Sequence, residues 1–178
     1  MSTLNPPVGP TDHAQGPADA PVTLVEYGDY ECPHCGLAHP IVKAVQRRLG
    51  DQLRFVFRHF PISSNHPHAE HAAEMAEAAA DRRKFWEIHD LLYGNQDALE
   101  DEDLVGYAAS LGIDPAWAAS ALRSGTFTER VRASFLSGVR SGVNGTPTFF
   151  INGVRHEGPW DEESLLAAIA NAAATARR

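Results

Sequence analysis

The chain's two cysteines fall in one tetrapeptide, Cys32-Pro33-His34-Cys35. They exclude a disulfide-stapled fold, and a C-x-x-C can serve instead as a thiol–disulfide couple or as half of a zinc site. The surroundings favour redox chemistry. Pro33 suits a first helical position, where its missing N–H costs nothing, and Leu37, Ile41, Val42, Val45 and Leu49 continue at helical spacing to a stop at Gly50. Cys32 is therefore expected at a helix N-terminus, where unpaired N–H groups and the positive end of the dipole favour a thiolate over a thiol. Cys35 follows one turn on, within disulfide reach. Stabilising the Cys32 thiolate also stabilises the reduced pair relative to its disulfide, making the pair a stronger oxidant. Each pKa unit is worth about 1.4 kcal/mol, and that corresponds to roughly 30 mV for a two-electron couple. His34, protonated or donating an N–H towards sulfur, pushes in the same direction.

The elements that must position this pair are legible on either side. Upstream, Val22 to Tyr27 has apolar side chains at both parities, as in a strand buried on both faces, and Gly28-Asp29-Tyr30-Glu31 makes the turn. Glu26, on the same face as Val22 and Leu24, is a costly place for a carboxylate without a purpose. Downstream, Leu53 to Phe60 reads as a second strand, parallel to the first through the helical crossover, which completes a β-α-β unit. Near the other end, Thr148 to Ile151 and Val154 to Glu157 flank the hairpin signal Asn152-Gly153, and Asp161 can cap a last helix carrying Leu165, Leu166 and Ile169. These form a β-β-α unit.

Together these features resemble the thioredoxin superfamily, and specifically the bacterial DsbA-like thiol–disulfide oxidoreductases, whose active-site motif is this same Cys-Pro-His-Cys. Gly145-Thr146-Pro147-Thr148-Phe149-Phe150 has the form of the family's cis-proline loop. The resemblance implies that Thr146, beside Pro147, pairs with the backbone of an extended substrate. It also implies that Glu26, six residues before Cys32, exchanges a proton with the second cysteine, and that Pro40 shapes the active-site helix. Thr146 departs from the valine found before the cis-proline in the best-known DsbA enzymes, so substrate choice and potential are expected to differ.

Between residues 63 and 144 the pattern is wholly helical, as is the insertion of DsbA-like proteins. His66 to Ala80 is rich in Ala and Glu, and Phe85, Ile88, His89 and Leu92 follow at helical spacing. Glu100 to Asp103 opens a further helix in keeping with the dipole, and Asp114-Pro115 opens another. Thr126 with Glu129 reads as a capping box for the last. The expected plan is thus an α/β, thioredoxin-like core, residues 16–62 and 145–178, with an all-helical insertion at 63–144. Residues 1–15, with Pro6, Pro7 and Pro10, read as a flexible arm.

The expected function is thiol–disulfide exchange with protein, peptide or small thiol substrates, oxidising in character, with Cys32 as the exposed sulfur and Cys35 resolving. The pair itself carries the electrons, and no other cofactor or metal is expected. The recycling partner is not legible. A chaperone-like substrate-binding module and a zinc module are the competing readings. The second, which His59, His66, His68 and His71 invite in company with the cysteines, is weak: there is no second C-x-x-C and no H-x3-5-H pair at a zinc-finger separation, and His66 to His71, at a helix start, give no obvious four-ligand cage. A net charge of -8 with only short basic clusters argues against a nucleic-acid surface. No apolar run reaches the roughly 18 residues of a membrane span, and the N-terminus lacks the pattern of an export signal. That lack points to the cytoplasm, whereas the Cys-Pro-His-Cys motif points to the periplasm if a leader has been removed.

Overall fold

The computed structural model describes residues 2–176. Its strands are β1 (His13–Gln15), β2 (Val22–Gly28), β3 (Leu53–His59), β4 (Thr148–Ile151) and β5 (Val154–Arg155), in the sheet order β1-β3-β2-β4-β5. The helices are α1 (Pro33–Leu49), α2 (Ala69–Asp81), α3 (Phe85–Gly94), α4 (Asp101–Ser110), α5 (Pro115–Ser124), α6 (Thr128–Arg140) and α7 (Glu162–Ala176). This is the thioredoxin-like plan, β2-α1-β3 plus β4-β5-α7, with α2 to α6 inserted. The chain divides into two compact units. One runs through Gly28, Leu37–Arg58 and onward from Ser137; the other comprises Asp29–Gly36 and His59–Leu136. The helical unit therefore takes in the cysteine turn, which a strict division at residues 63 and 144 would leave out.

In the first unit, β2 and the neighbouring β3 are buried almost throughout, which explains their runs of apolar residues at both parities. β4 pairs antiparallel with β2, in a register that sets Leu24 opposite Ile151 and Glu26 opposite Phe149. Asn152 and Gly153 adopt left-handed φ values of 48° and 81°, as a two-residue turn of this hand requires. Strand β5 spans only Val154–Arg155, so it stops short of Glu157. The buried stripe of α1 is Cys35, Ala38, Val42 and Val45, whereas Leu37 is 63% exposed. Asp161 caps α7, accepting from the Ser164 amide at 3.0 Å.

The arm expected to be flexible is tied down over its described residues. Leu4 is buried and donates its amide to the Gly153 carbonyl at 2.8 Å. Strand β1 pairs with β3, His13 opposite Phe57. The Arg58 guanidinium holds both Asp12 oxygens, at 2.8 and 2.9 Å, and donates to the carbonyls of Pro6 and Pro7. Prolines without N–H groups still present carbonyls, and here an almost fully buried arginine collects them.

In the helical unit, α2 is buried on nearly every side, Ala72, Ala73, Met75, Ala76 and Ala79 included, and the burial extends to Glu74 and Glu77. Glu100 and Asp103 form a reciprocal capping box on α4. Asp114 caps α5 with Pro115 in its first turn, and Gly125 ends it at φ 62°. The capping box expected at Thr126 is not the one used. Helix α6 begins at Thr128, and the Thr126 hydroxyl meets that of Ser124 at 2.9 Å.

Candidate active site

Strand β2 ends at Gly28 and α1 begins at Pro33, so Asp29 to Cys32 must turn the chain from sheet to helix within four residues. Three devices hold this turn in the helical unit. The Cys32 amide donates to the Asp29 carbonyl at 3.1 Å, and the Cys32 carbonyl accepts the Gly36 amide at 3.1 Å as the first bond of the helix. The Asp29 carboxylate accepts from the Glu31 amide at 2.8 Å, the Ile62 amide at 2.9 Å and Nδ1 of His66 at 2.8 Å. Glu31 in turn accepts the His68 amide at 2.7 Å. Finally, Nε2 of Gln96 donates to the carbonyls of both Tyr30 and Cys32, each at 2.9 Å. Gly36 is the complement of that last device, because an added Cβ would collide with the Gln96 side chain. Tyr30 is buried, with its hydroxyl on Nδ1 of His89 at 2.9 Å.

Cys32 thus precedes Pro33 at the N-terminus of a 17-residue helix, where the dipole favours a thiolate. Its expected exposure is not met: only 4% of the residue is accessible. Cys35 is fully buried, and Pro33 and His34 are exposed between the two. In the first unit, Glu26 is buried within β2, and the Thr146–Pro147 peptide is cis, directly before β4. The Thr148 hydroxyl closes that loop on the Gly145 carbonyl at 2.7 Å.

Three of the four histidines that invited a metal reading go to different carboxylates, His59 to Glu77 at 2.9 Å among them. His66 pairs with Asp29, and His71 with Asp101 at 2.6 Å. Burial opposes a charge on His66 and is the largest single influence on it. The hydrogen bond to Asp29, together with the charges of Asp29, Cys32 and Glu31, outweighs that burial, and His66 titrates above the ordinary histidine range. The sequence pattern alone does not mark Asp29, His66 or Gln96 for the chemistry of Cys32. The available signal was two acidic residues in the turn before a thiolate, which need a counter-charge.

A sheet-to-helix turn carrying paired cysteines, on this topology and with a cis-proline loop, defines a thioredoxin-fold thiol–disulfide oxidoreductase. The thioredoxin family model matches residues 9–171, and the chain belongs to that family. It is of the DsbA-like kind. The oxidised BdbD of Bacillus subtilis superposes with a TM-score of 0.81 at 26% identity, over 92% of this chain and 93% of that one. The alpha-DsbA1 of Wolbachia pipientis shares the fold with a TM-score of 0.80 at 19% identity, over 96% and 94% of the two chains. A Salinispora tropica protein named Na(+)/H(+) antiporter NhaA 3 is 47% identical over 174 residues, 96% of this chain and 26% of that protein. A Herminiimonas arsenicoxydans protein named Na(+)/H(+) antiporter NhaA is 44% identical over 93% of this chain and 26% of its own length. The chain spans about a quarter of the length of these curated relatives. Among the described residues, no helix is long and apolar enough to cross a membrane.

Proposed function

We propose that the Cys32–Cys35 pair oxidises protein thiols. A substrate thiolate attacks Cys32 of the enzyme disulfide, forming a mixed disulfide and releasing Cys35 as the leaving sulfur, which takes up a proton. A second substrate thiolate then attacks the substrate sulfur of the mixed disulfide and expels Cys32 as a thiolate. The substrate loses two electrons and two protons in all, and the enzyme pair gains the electrons. Thr146 and cis-Pro147 hold the substrate backbone, and Glu26 exchanges the proton of Cys35. The observation that carries the oxidising direction is the position of Cys32 at the head of α1, where a leaving thiolate is stabilised by the helix terminus.

Equilibration with glutathione buffers tests the direction. A potential above roughly -200 mV is expected, in the range of protein oxidants, and a value near about -270 mV would make the pair a reductant. Cys32→Ser should abolish turnover, while Cys35→Ser should accumulate mixed disulfides with protein thiols. Normal turnover by Cys32→Ser overturns the mechanism.

A further inference from the structure

Asp29 is the common anchor of two groups. Its carbonyl receives the Cys32 amide at 3.1 Å, and its carboxylate, whose side chain is fully buried, receives Nδ1 of His66 at 2.8 Å. The ring of His66 is therefore fastened to the same turn that carries the reactive sulfur, although 34 residues separate the two in sequence. It lies close enough for the charges of His66 and Cys32 to interact. A buried carboxylate three residues before a thiolate is an electrostatic liability, since like charges repel. His66 answers that liability directly.

We propose that His66, oriented by Asp29, is a positioning residue for thiol–disulfide exchange, supplying a proton-dependent positive charge that stabilises the Cys32 thiolate. This histidine lies outside the Cys-Pro-His-Cys motif and acts separately from His34. With Nδ1–H committed to Asp29, protonation falls on Nε2, and the imidazolium offsets both Asp29 and the sulfur. The charged groups that act on it besides Asp29 are Cys32 and Glu31, both from the turn, while His68 and Glu70 are its titratable neighbours along its own chain. Glu31 adds to the negative field that favours the protonated ring. Its carboxylate is partly engaged by the His68 amide. As pH rises through the titration of His66, the support for the thiolate is withdrawn.

The coupling must be reciprocal, and that allows a test on the wild-type protein. Oxidised glutathione converts the Cys32 and Cys35 dithiol to a disulfide, taking two electrons and becoming two glutathione thiols. Disulfide formation removes the thiolate charge. NMR titration of the His66 ring should then give a pKa lower by about one unit in the disulfide form than in the reduced form, the scale of an opposite charge a few ångströms away. In parallel, His66→Gln should raise the Cys32 pKa, read from thiolate absorbance and alkylation rate against pH, and should make the pair less oxidising. His66→Lys, which keeps a charge, should restore the low thiol pKa but lose the inflection at the histidine titration. The inference rests on the redox-pair reading, and the two fail differently. If no disulfide forms with oxidised glutathione, the pair itself has been misread. If the disulfide forms but the His66 pKa is the same in both states and the Cys32 pH profile of His66→Gln is that of the wild type, the role of His66 is overturned.

Discussion

Gly36→Ala is expected to destabilise the protein, although alanine is the better helix former. Gly36 lies in the first turns of α1, where replacing glycine by alanine normally gains up to about 1 kcal/mol. Here an added Cβ would overlap Oε1 of Gln96 and lie 2.7 Å from its Cδ and 3.0 Å from its Nε2. The side chain must swing away, and its two hydrogen bonds to the Tyr30 and Cys32 carbonyls are lost. At about 1 kcal/mol for each, the loss is about 2 kcal/mol, leaving a net destabilisation of about 1 kcal/mol.

The sharper consequence is a change of sign. Gln96→Ala alone should cost about 2 kcal/mol, and in that background the obstacle to a Cβ is gone. Gly36→Ala should then stabilise by up to about 1 kcal/mol, for a coupling of about 2 kcal/mol between the sites. Urea unfolding of the wild type, both single variants and the double variant measures this directly, with fluorescence and circular dichroism checked for coincident transitions. A coupling below about 0.5 kcal/mol would mean that Gln96 does not obstruct a side chain at position 36, because independent sites add to within that margin.

Two further perturbations test the surrounding scaffold. Burial is the main reason Glu74 titrates above the usual carboxylate range, only partly countered by the Thr128 hydroxyl at 3.0 Å. A raised folded-state pKa means that stability is intact below the unfolded value and falls as pH rises through the folded one. Glu74→Gln should therefore melt a few degrees higher than wild type at pH 7 and converge with it towards pH 4, and an equal difference at both pH values would contradict the assignment. Asp12→Ala removes the partner of the buried Arg58 guanidinium and should cost about 3–5 kcal/mol in urea unfolding. Amide exchange in residues 2–15 should rise with it, whereas a loss under about 1 kcal/mol would mean that the arm is held by other contacts.

What was legible in the sequence is what local physics determines. The Cys32–Cys35 spacing, the Asn152-Gly153 turn and the Asp114-Pro115 helix start each concern groups a few residues apart, whose geometry the chain itself constrains. Periodicity located the strands because β2 and β3 are buried on both faces, and it erred at Leu37. That residue belongs to a spacing adjacent to the true stripe of Cys35, Ala38, Val42 and Val45, and solvent claims it. The packing of the arm was illegible for a different reason. Proline-rich composition reports the absence of local hydrogen bonding, but it carries no information about a guanidinium on β3 that gathers the freed carbonyls.

The same distinction separates the cysteines from the residues that hold them. Gln96 reaches Cys32 across 64 residues and His66 reaches Asp29 across 37, and neither has a sequence signature, since an amide or an imidazole in a helical region is ordinary composition. Their need was nevertheless implicit in the turn. Four residues between a buried strand and a helix leave main-chain groups to satisfy, and Asp29 brings a negative charge to a place that must also hold a thiolate. The helical insertion supplies the partners: Gln96 for the carbonyls, the 62–68 segment for the two carboxylates, and His66 for the charge. On this reasoning the insertion does more than border the cysteine pair. It sets the electrostatic environment of Cys32, so substitutions at Gln96 and His66 should move the properties of the pair while leaving its four-residue motif intact.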